Sequence, residues 1–239
     1  MPTIIFTAGA KGGTGKSTAI RFLITYLREQ GFNPSLLDMD DESRTLSRYF
    51  PEAPQIQIKK ASSHDVLIEK ILEDGENLIV ADLKGGTGKD TLDWWLKLPF
   101  QKMPDIRFIC VASITSSPDS VQSFLNWAAA LNNKVYYVVC KNQKDGDIFP
   151  DYDKSDQALL FRENHNPTHV VVPALDAEYM TELERLNLTI SEVLEAEGNS
   201  VINGKSISPV LCRFLNRARL EEYQNEIYKQ FQPIMKLLA

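Results

Sequence analysis

Cysteine and histidine are both scarce here, with only three of each among 239 residues. Cys110, Cys140 and Cys212 stand far apart, without metal-ligand spacing. That excludes a disulfide framework and a cysteine metal cluster, and leaves buried, reduced thiols as the expectation. His64, His165 and His169 share no pattern with a serine or cysteine nucleophile, so no catalytic role is assigned to them. No run of about 18 apolar residues occurs, and the N-terminus lacks a basic stretch followed by an apolar core. A chain without a stable membrane anchor, residing in the cytoplasm, is expected. Positive charge is also short: 26 Lys and Arg against 32 Asp and Glu leave a formal net charge of -6. No global field then draws the protein onto nucleic acid or an anionic surface. Low-complexity segments are missing, and 43% hydrophobic with 24% charged residues is the balance of an ordinary globular domain.

What is present in duplicate is the hexapeptide KGGTGK, at Lys11 to Lys16 and again at Lys84 to Lys89. A glycine-rich loop holds phosphate when a strand delivers the chain to it and a helix N-terminus follows, so that backbone N–H groups converge on the anion. The first copy meets both conditions. Ile4, Ile5 and Phe6 read as a buried strand. Ile20, Leu23, Ile24 and Leu27 then recur at helical spacing, with Gly31 as the stop. Ser17 follows the lysine, where its hydroxyl can coordinate magnesium while Lys16 reaches the terminal phosphates. In the second copy Asp90 takes that place, and a carboxylate there repels phosphate. The first copy is the expected phosphate loop.

The general pattern G-x-x-x-x-G-K-[ST] nevertheless fails at Ala10. AKGGTGKST instead resembles the deviant Walker A motif of the ParA/MinD family of dimerising ATPases, in which an extra early lysine, here Lys11, is the signature. The resemblance implies ATP with Mg2+ as ligands, and a homodimer in which Lys11 of one subunit reaches the nucleotide of the other. Gly12, Gly13, Thr14, Gly15, Lys16, Ser17 and Thr18 then bind the nucleotide, with Lys16 also catalytic. Asp82, closing the apolar run NLIVAD, matches the carboxylate that shares the metal with Ser17. Asp40 matches the aspartate that orients the attacking water. Gly86, Thr87 and Gly88 match a switch loop after Asp82, which makes the second KGGTGK a coincidence of composition. Asn142 and Pro173, each ending an apolar run, match the family's base-contacting positions. Asp41 and Glu42 depart from the family pattern, as does Lys84, which stands where a proline is usual; their roles, and that of Lys89, stay open.

Apolar runs at 35–40, 77–82, 107–112, 134–140 and 169–173 alternate with segments of helical period such as Val121, Phe124, Leu125, Ala128 and Leu131. That alternation predicts an α/β fold, a doubly wound, mostly parallel sheet with helices on both faces, with the ligand at the carboxyl ends of the strands. The resemblance makes it a P-loop NTPase fold. A single domain over 1–239 is expected, with the helix-compatible segment 209–239 packed onto it. Ser117 and Pro118 read as ordinary helix-start chemistry. Trp94 and Trp95 read as core. Arg213, Arg217 and Arg219 form the one basic cluster suited to non-specific DNA contact. The resulting expectation is a ParA-type ATPase switch, slow until a second subunit and a stimulating protein partner act, for plasmid partitioning or for positioning a cellular complex. The alternative is an ATP-binding interaction protein in plasmid stability or conjugation that barely hydrolyses.

Overall fold

Strands that are apolar on both faces must be covered on both faces, and these are. The computed structural model describes residues 1–9, 12–40, 42–84, 88–196 and 201–238, with the backbone alone for 88–90. Strands β1 (Thr3–Ala8), β2 (Ser35–Met39), β3 (Leu78–Leu83), β4 (Arg107–Ile114), β5 (Tyr136–Asn142) and β6 (Thr168–Val172) form one sheet in the order β2-β3-β1-β4-β5-β6. Every pairing in it is parallel. The chain is an α/β protein with the doubly wound sheet that its sequence predicts.

The helices are α1 (Lys16–Glu29), α2 (Thr45–Tyr49), α3 (Val66–Leu72), α4 (Gly88–Lys97), α5 (Pro118–Leu131), α6 (Pro150–Lys154), α7 (Asp156–His165), α8 (Ala177–Leu186), α9 (Ile190–Glu195), α10 (Pro209–Cys212) and α11 (Phe214–Leu238). Alternation along β1 sorts the layers. Ile5 faces the cluster built by α1 and α11, whereas Ile4, Phe6 and Ala8 face the cluster that includes residues of α3, α4, α5 and α7. Trp94 and Trp95 belong to the second cluster, Trp95 stacking on Phe6 with ring centroids 4.4 Å apart. A third cluster joins α8, α9, α10 and the start of α11 with Ile202. Ile202 lies on a small hairpin, β7 (Val201–Ile202) and β8 (Lys205–Ser206), whose turn residues Asn203 and Gly204 both have positive φ, the turn chemistry an Asn-Gly pair supplies.

Local signals end the elements where they should. Beyond α1, Gly31 takes φ +84° and donates to the Arg28 carbonyl, while the Phe32 N–H reaches Leu27. This paired closure leaves few carbonyls of the last turn unsatisfied. Ser117 stands at the N-cap position of α5, with Pro118 in the first turn. Cys110 and Cys140 are free and buried, and burial pushes the Cys140 thiol up to about 12. Neither is a poised nucleophile. Among the described residues no helix is long and apolar enough to cross a membrane.

Candidate functional site

The central strand β1 ends at Ala8 and the chain enters α1 at Lys16, so the intervening loop sits at the carboxyl edge of the sheet, where α/β proteins bind ligands. Gly9, Gly13 and Gly15 of that loop have positive φ. Gly15 caps α1 in the left-handed conformation, which aims the free N–H groups of the first turn, and the positive end of the helix dipole, back toward the loop. The loop is held from beneath. Ser113 on β4 donates its hydroxyl to the Thr14 carbonyl at 2.7 Å, and Asn142 on β5 donates its Nδ2 to the same oxygen at 3.1 Å. Asn142 Oδ1 accepts from the Lys144 backbone N–H at 3.1 Å. The Asn142 amide thus braces the loop with one bond at each end and keeps a second N–H and a second lone pair.

A cavity of about 640 Å³ opens above the loop, bordered by Gly12, Lys16, Asp40, Asn142, Pro173 and Tyr223, with Ser17 and Thr18 also in its wall. That volume is ordinary for a small-molecule site. Pro173 follows β6, and Tyr223 of α11 donates its hydroxyl to the Pro173 carbonyl at 2.8 Å, fixing the apolar wall made with Ala174 and Leu175.

Lys16 is buried, and that burial lowers its pKa against the opposing pull of Asp82 and Asp40. Asp82 is the penultimate residue of β3 and is 1% exposed. Its Oδ1 accepts the Thr7 hydroxyl at 2.9 Å, and Thr7 in turn accepts from the Leu83 N–H at 2.8 Å. The other carboxylate oxygen, Oδ2, is buried with no hydrogen-bond partner among the described residues. Burial pushes the Asp82 pKa up to about 6, with neighbouring Asp38 adding to it and Ser17, Thr7 and Lys16 opposing it. An orphaned buried carboxylate oxygen beside a serine hydroxyl fits a magnesium ion, which takes one or two protein oxygens and completes its shell with phosphate and water. Among the described residues no cluster of three or more Asp, Glu, His or Cys could hold a metal alone.

One outcome follows for Asp82→Asn. Because the folded-state pKa lies above the ordinary value near 3.8, this acid contributes stability that is complete below that value and is lost as pH rises through about 6. At pH 7 the metal-free variant should be more stable than the parent by about 3 kcal/mol. Melting curves of both proteins from pH 4 to pH 7 check it: the gap should be near zero at the acid end and widen upward.

Asp38 and Asp40 have separate duties. Asp38 is buried, and its two oxygens accept from the backbone N–H groups of Asp40 and Ser47, so it shapes the loop leading to α2. Asp40 lies just past the strand end. Its Oδ1 accepts from the Glu42 and Ser43 N–H groups and its Oδ2 from the Ser43 hydroxyl, while its residue borders the cavity. Lys11, Asp41, Gly86 and Thr87, and the side chain of Lys89, lie outside the described residues.

The three arginines of the basic cluster differ in their surroundings. Arg217 donates to the Leu194 carbonyl at 2.5 Å, locking it into the packing of α9 against α11. Arg213 and Arg219 alone remain exposed. Residues the sequence reading missed are Thr7, Ser113 and Tyr223. Thr7 and Ser113 are polar positions near the carboxyl ends of mostly apolar strands, and that is their only sequence signal.

A family profile described as the CobQ/CobB/MinD/ParA nucleotide binding domain matches residues 5–237. Among solved structures the chain is similar to MinD, a cell division protein of Aquifex aeolicus, with 13% identity over 96% of this chain and 98% of that one and a TM-score of 0.53. It is similar to the MinC:MinD complex of the same organism, with 14% identity, 96% of each chain covered and a TM-score of 0.53. It is also similar to the signal recognition particle receptor FtsY of Elizabethkingia anophelis, with 14% identity, 74% of this chain covered and a TM-score of 0.50, and it spans 60% of that receptor's chain. Likeness at such identities is likeness of fold. No curated protein matches by sequence.

Proposed function

The chain belongs to the CobQ/CobB/MinD/ParA nucleotide-binding family, a family of P-loop ATPases, and on that premise we propose that it is an ATP-driven dimerising switch in a single domain. One observation supports this above the others: the loop at the N-terminus of α1, Lys16, Ser17 and Asp40 border one cavity, with the buried carboxylate of Asp82 near enough to act on Lys16 and Ser17. In this reading the N–H groups of Gly12 to Lys16 cradle the phosphates, with Thr14 held in place by Ser113 and Asn142. Thr18 lies beside the nucleotide, and the Pro173 wall packs on the base. Ser17 and Asp82 would hold magnesium, which would supply charge neutralisation at the phosphates. Asp40 orients water for in-line attack on the γ-phosphorus, and Lys11 of a second copy approaches the leaving oxygen.

The biological task that fits is partitioning of DNA or positioning of a complex in the cytoplasm, with a protein partner that stimulates hydrolysis. Arg213 and Arg219 are the residues available for phosphate contacts with DNA. A second reading, an ATP-binding interaction protein with little turnover, is favoured by the three hydrogen bonds that bind the Asp40 carboxylate into its own turn. Calorimetric titration with ATP and magnesium tests the common ground. The wild-type chain should bind saturably, and Lys16→Ala should lose at least about 100-fold in affinity, because a charged hydrogen bond to phosphate disappears. Equal binding by both proteins would overturn the site. Turnover by the wild-type dimer then separates the two readings.

A further inference from the structure

Strand β6 lies at one edge of the sheet, and among the described residues no strand pairs with its outer side. Helix α11 takes that place. Gln230 accepts from the Val171 N–H through Oε1 at 2.5 Å and donates Nε2 to the Val171 carbonyl at 3.2 Å. One side-chain amide thus supplies the donor and the acceptor that a neighbouring strand would bring. Seven residues earlier in α11, about two helical turns, Tyr223 donates its hydroxyl to the Pro173 carbonyl at 2.8 Å. Proline has no N–H, so this carbonyl is the only hydrogen-bonding group Pro173 offers. Val172, level with Asn142 on β5, borders the candidate nucleotide cavity together with Pro173. The helix that reaches across is itself fixed. Ile227 and Phe231 are fully buried, and Gln224 bonds to Ser191 of α9 and Glu29 of α1.

We propose that Tyr223 and Gln230 are positioning residues for the base: through them α11 holds the wall of Val172 and Pro173 where the base packs, and so sets affinity for the base apart from affinity for the phosphates. The proposal rests on the nucleotide reading above. A wall already held in place spares the ligand the cost of ordering it. The phosphate loop has separate supports, Ser113 and Asn142 on β4 and β5, so loosening β6 at its outer edge leaves that loop seated. Tyr223 borders the cavity and Gln230 does not, and the influence of Gln230 therefore has to pass through β6.

Titration of ATP and of inorganic tripolyphosphate, each with magnesium, on the wild-type chain, Tyr223→Phe, Gln230→Leu and Lys16→Ala decides it, with melting curves to verify folding. Tyr223→Phe keeps the ring and removes one hydrogen bond. It should weaken ATP about fivefold and leave tripolyphosphate within about twofold. Gln230→Leu should weaken ATP about tenfold, again with tripolyphosphate within about twofold, whereas Lys16→Ala should weaken both ligands. If Gln230→Leu does not fold, Tyr223→Phe carries the test. A merely structural role predicts that the two α11 variants melt lower and weaken both ligands equally, or weaken neither; each of these results overturns the proposal. So does a wild-type chain that binds tripolyphosphate as tightly as ATP, since the base then contributes nothing while the phosphate site stands. If the wild-type chain binds neither ligand, the nucleotide reading itself fails and this inference with it.

Discussion

Gly15→Ala should abolish nucleotide binding, and it should do so for reasons already present in how the loop packs. Gly15 has φ +90°, and an added Cβ would stand 2.0 Å from Asn142 Nδ2 and 3.2 Å from its Cγ. Asn142 cannot swing away without breaking its bonds to the Thr14 carbonyl and the Lys144 N–H. A left-handed backbone alone costs an L-residue about 1–2 kcal/mol, and the overlap adds to that, so the loop must move. Loss of affinity should exceed about 100-fold, together with a lower melting temperature of the nucleotide-free protein. Neighbouring glycines give an internal scale. Gly13 has φ +72° but open space, and Gly12 has open space without a positive φ. Melting temperature should therefore fall least for Gly12→Ala, more for Gly13→Ala and most for Gly15→Ala. Removing the obstacle in Gly15→Ala/Asn142→Ala should recover part of the loss. Equal melting across the three single variants would contradict the account of how the loop is held.

Lys11→Ala should leave nucleotide binding near that of the wild type and cost turnover about 10³-fold or more. The estimate comes from arginine fingers, whose charge supplied in trans accelerates nucleotide hydrolysis by about 10³ to 10⁵. In the proposed dimer a lysine from the second subunit would act on the same developing charge, so its loss would remove transition-state stabilisation while ground-state binding by Lys16 and the loop N–H groups would persist. Steady-state phosphate release, measured over a range of protein concentrations, is the check. Wild-type turnover per subunit should rise with concentration, and Lys11→Ala should stay flat. A variant that loses affinity and turnover in proportion would place Lys11 in its own subunit's site instead.

The sheet was readable because apolar runs of β-branched residues leave few alternatives to buried strands. The expected run 77–82 became Leu78–Leu83 and 107–112 became Arg107–Ile114, small shifts at the ends where hydrogen bonding, not hydropathy, decides. The strand, loop and helix around Lys16 and the place of Asp82 near the end of β3 were readable for a different reason: local spacing fixes what a strand, turn and helix do in succession. What stayed hidden depends on contacts across the sheet. Thr7 meets Asp82 over 75 positions of sequence, and Asn142 meets Thr14 over 128. Periodicity assigns a residue to a face but does not say which polar atom on a neighbouring strand it will find. Asn142 and Arg217 illustrate this, since each has a polar atom engaged by a distant backbone group. The ion pair of Lys84 with Glu42 was equally invisible, because neither loop predicts the other. The Asn203-Gly204 hairpin is the converse case, a turn whose local signal is plain in VINGKS.

Everything proposed for Lys11 requires that ATP bring two copies of the chain together. The direct test is solution mass by light scattering of Asp40→Ala, with ADP and with ATP in the presence of magnesium, alongside Asp40→Ala carrying Lys11→Ala. The account predicts a dimer with ATP alone, and a monomer with ADP or without Lys11. A monomer in every sample, with ATP demonstrably bound, would contradict it.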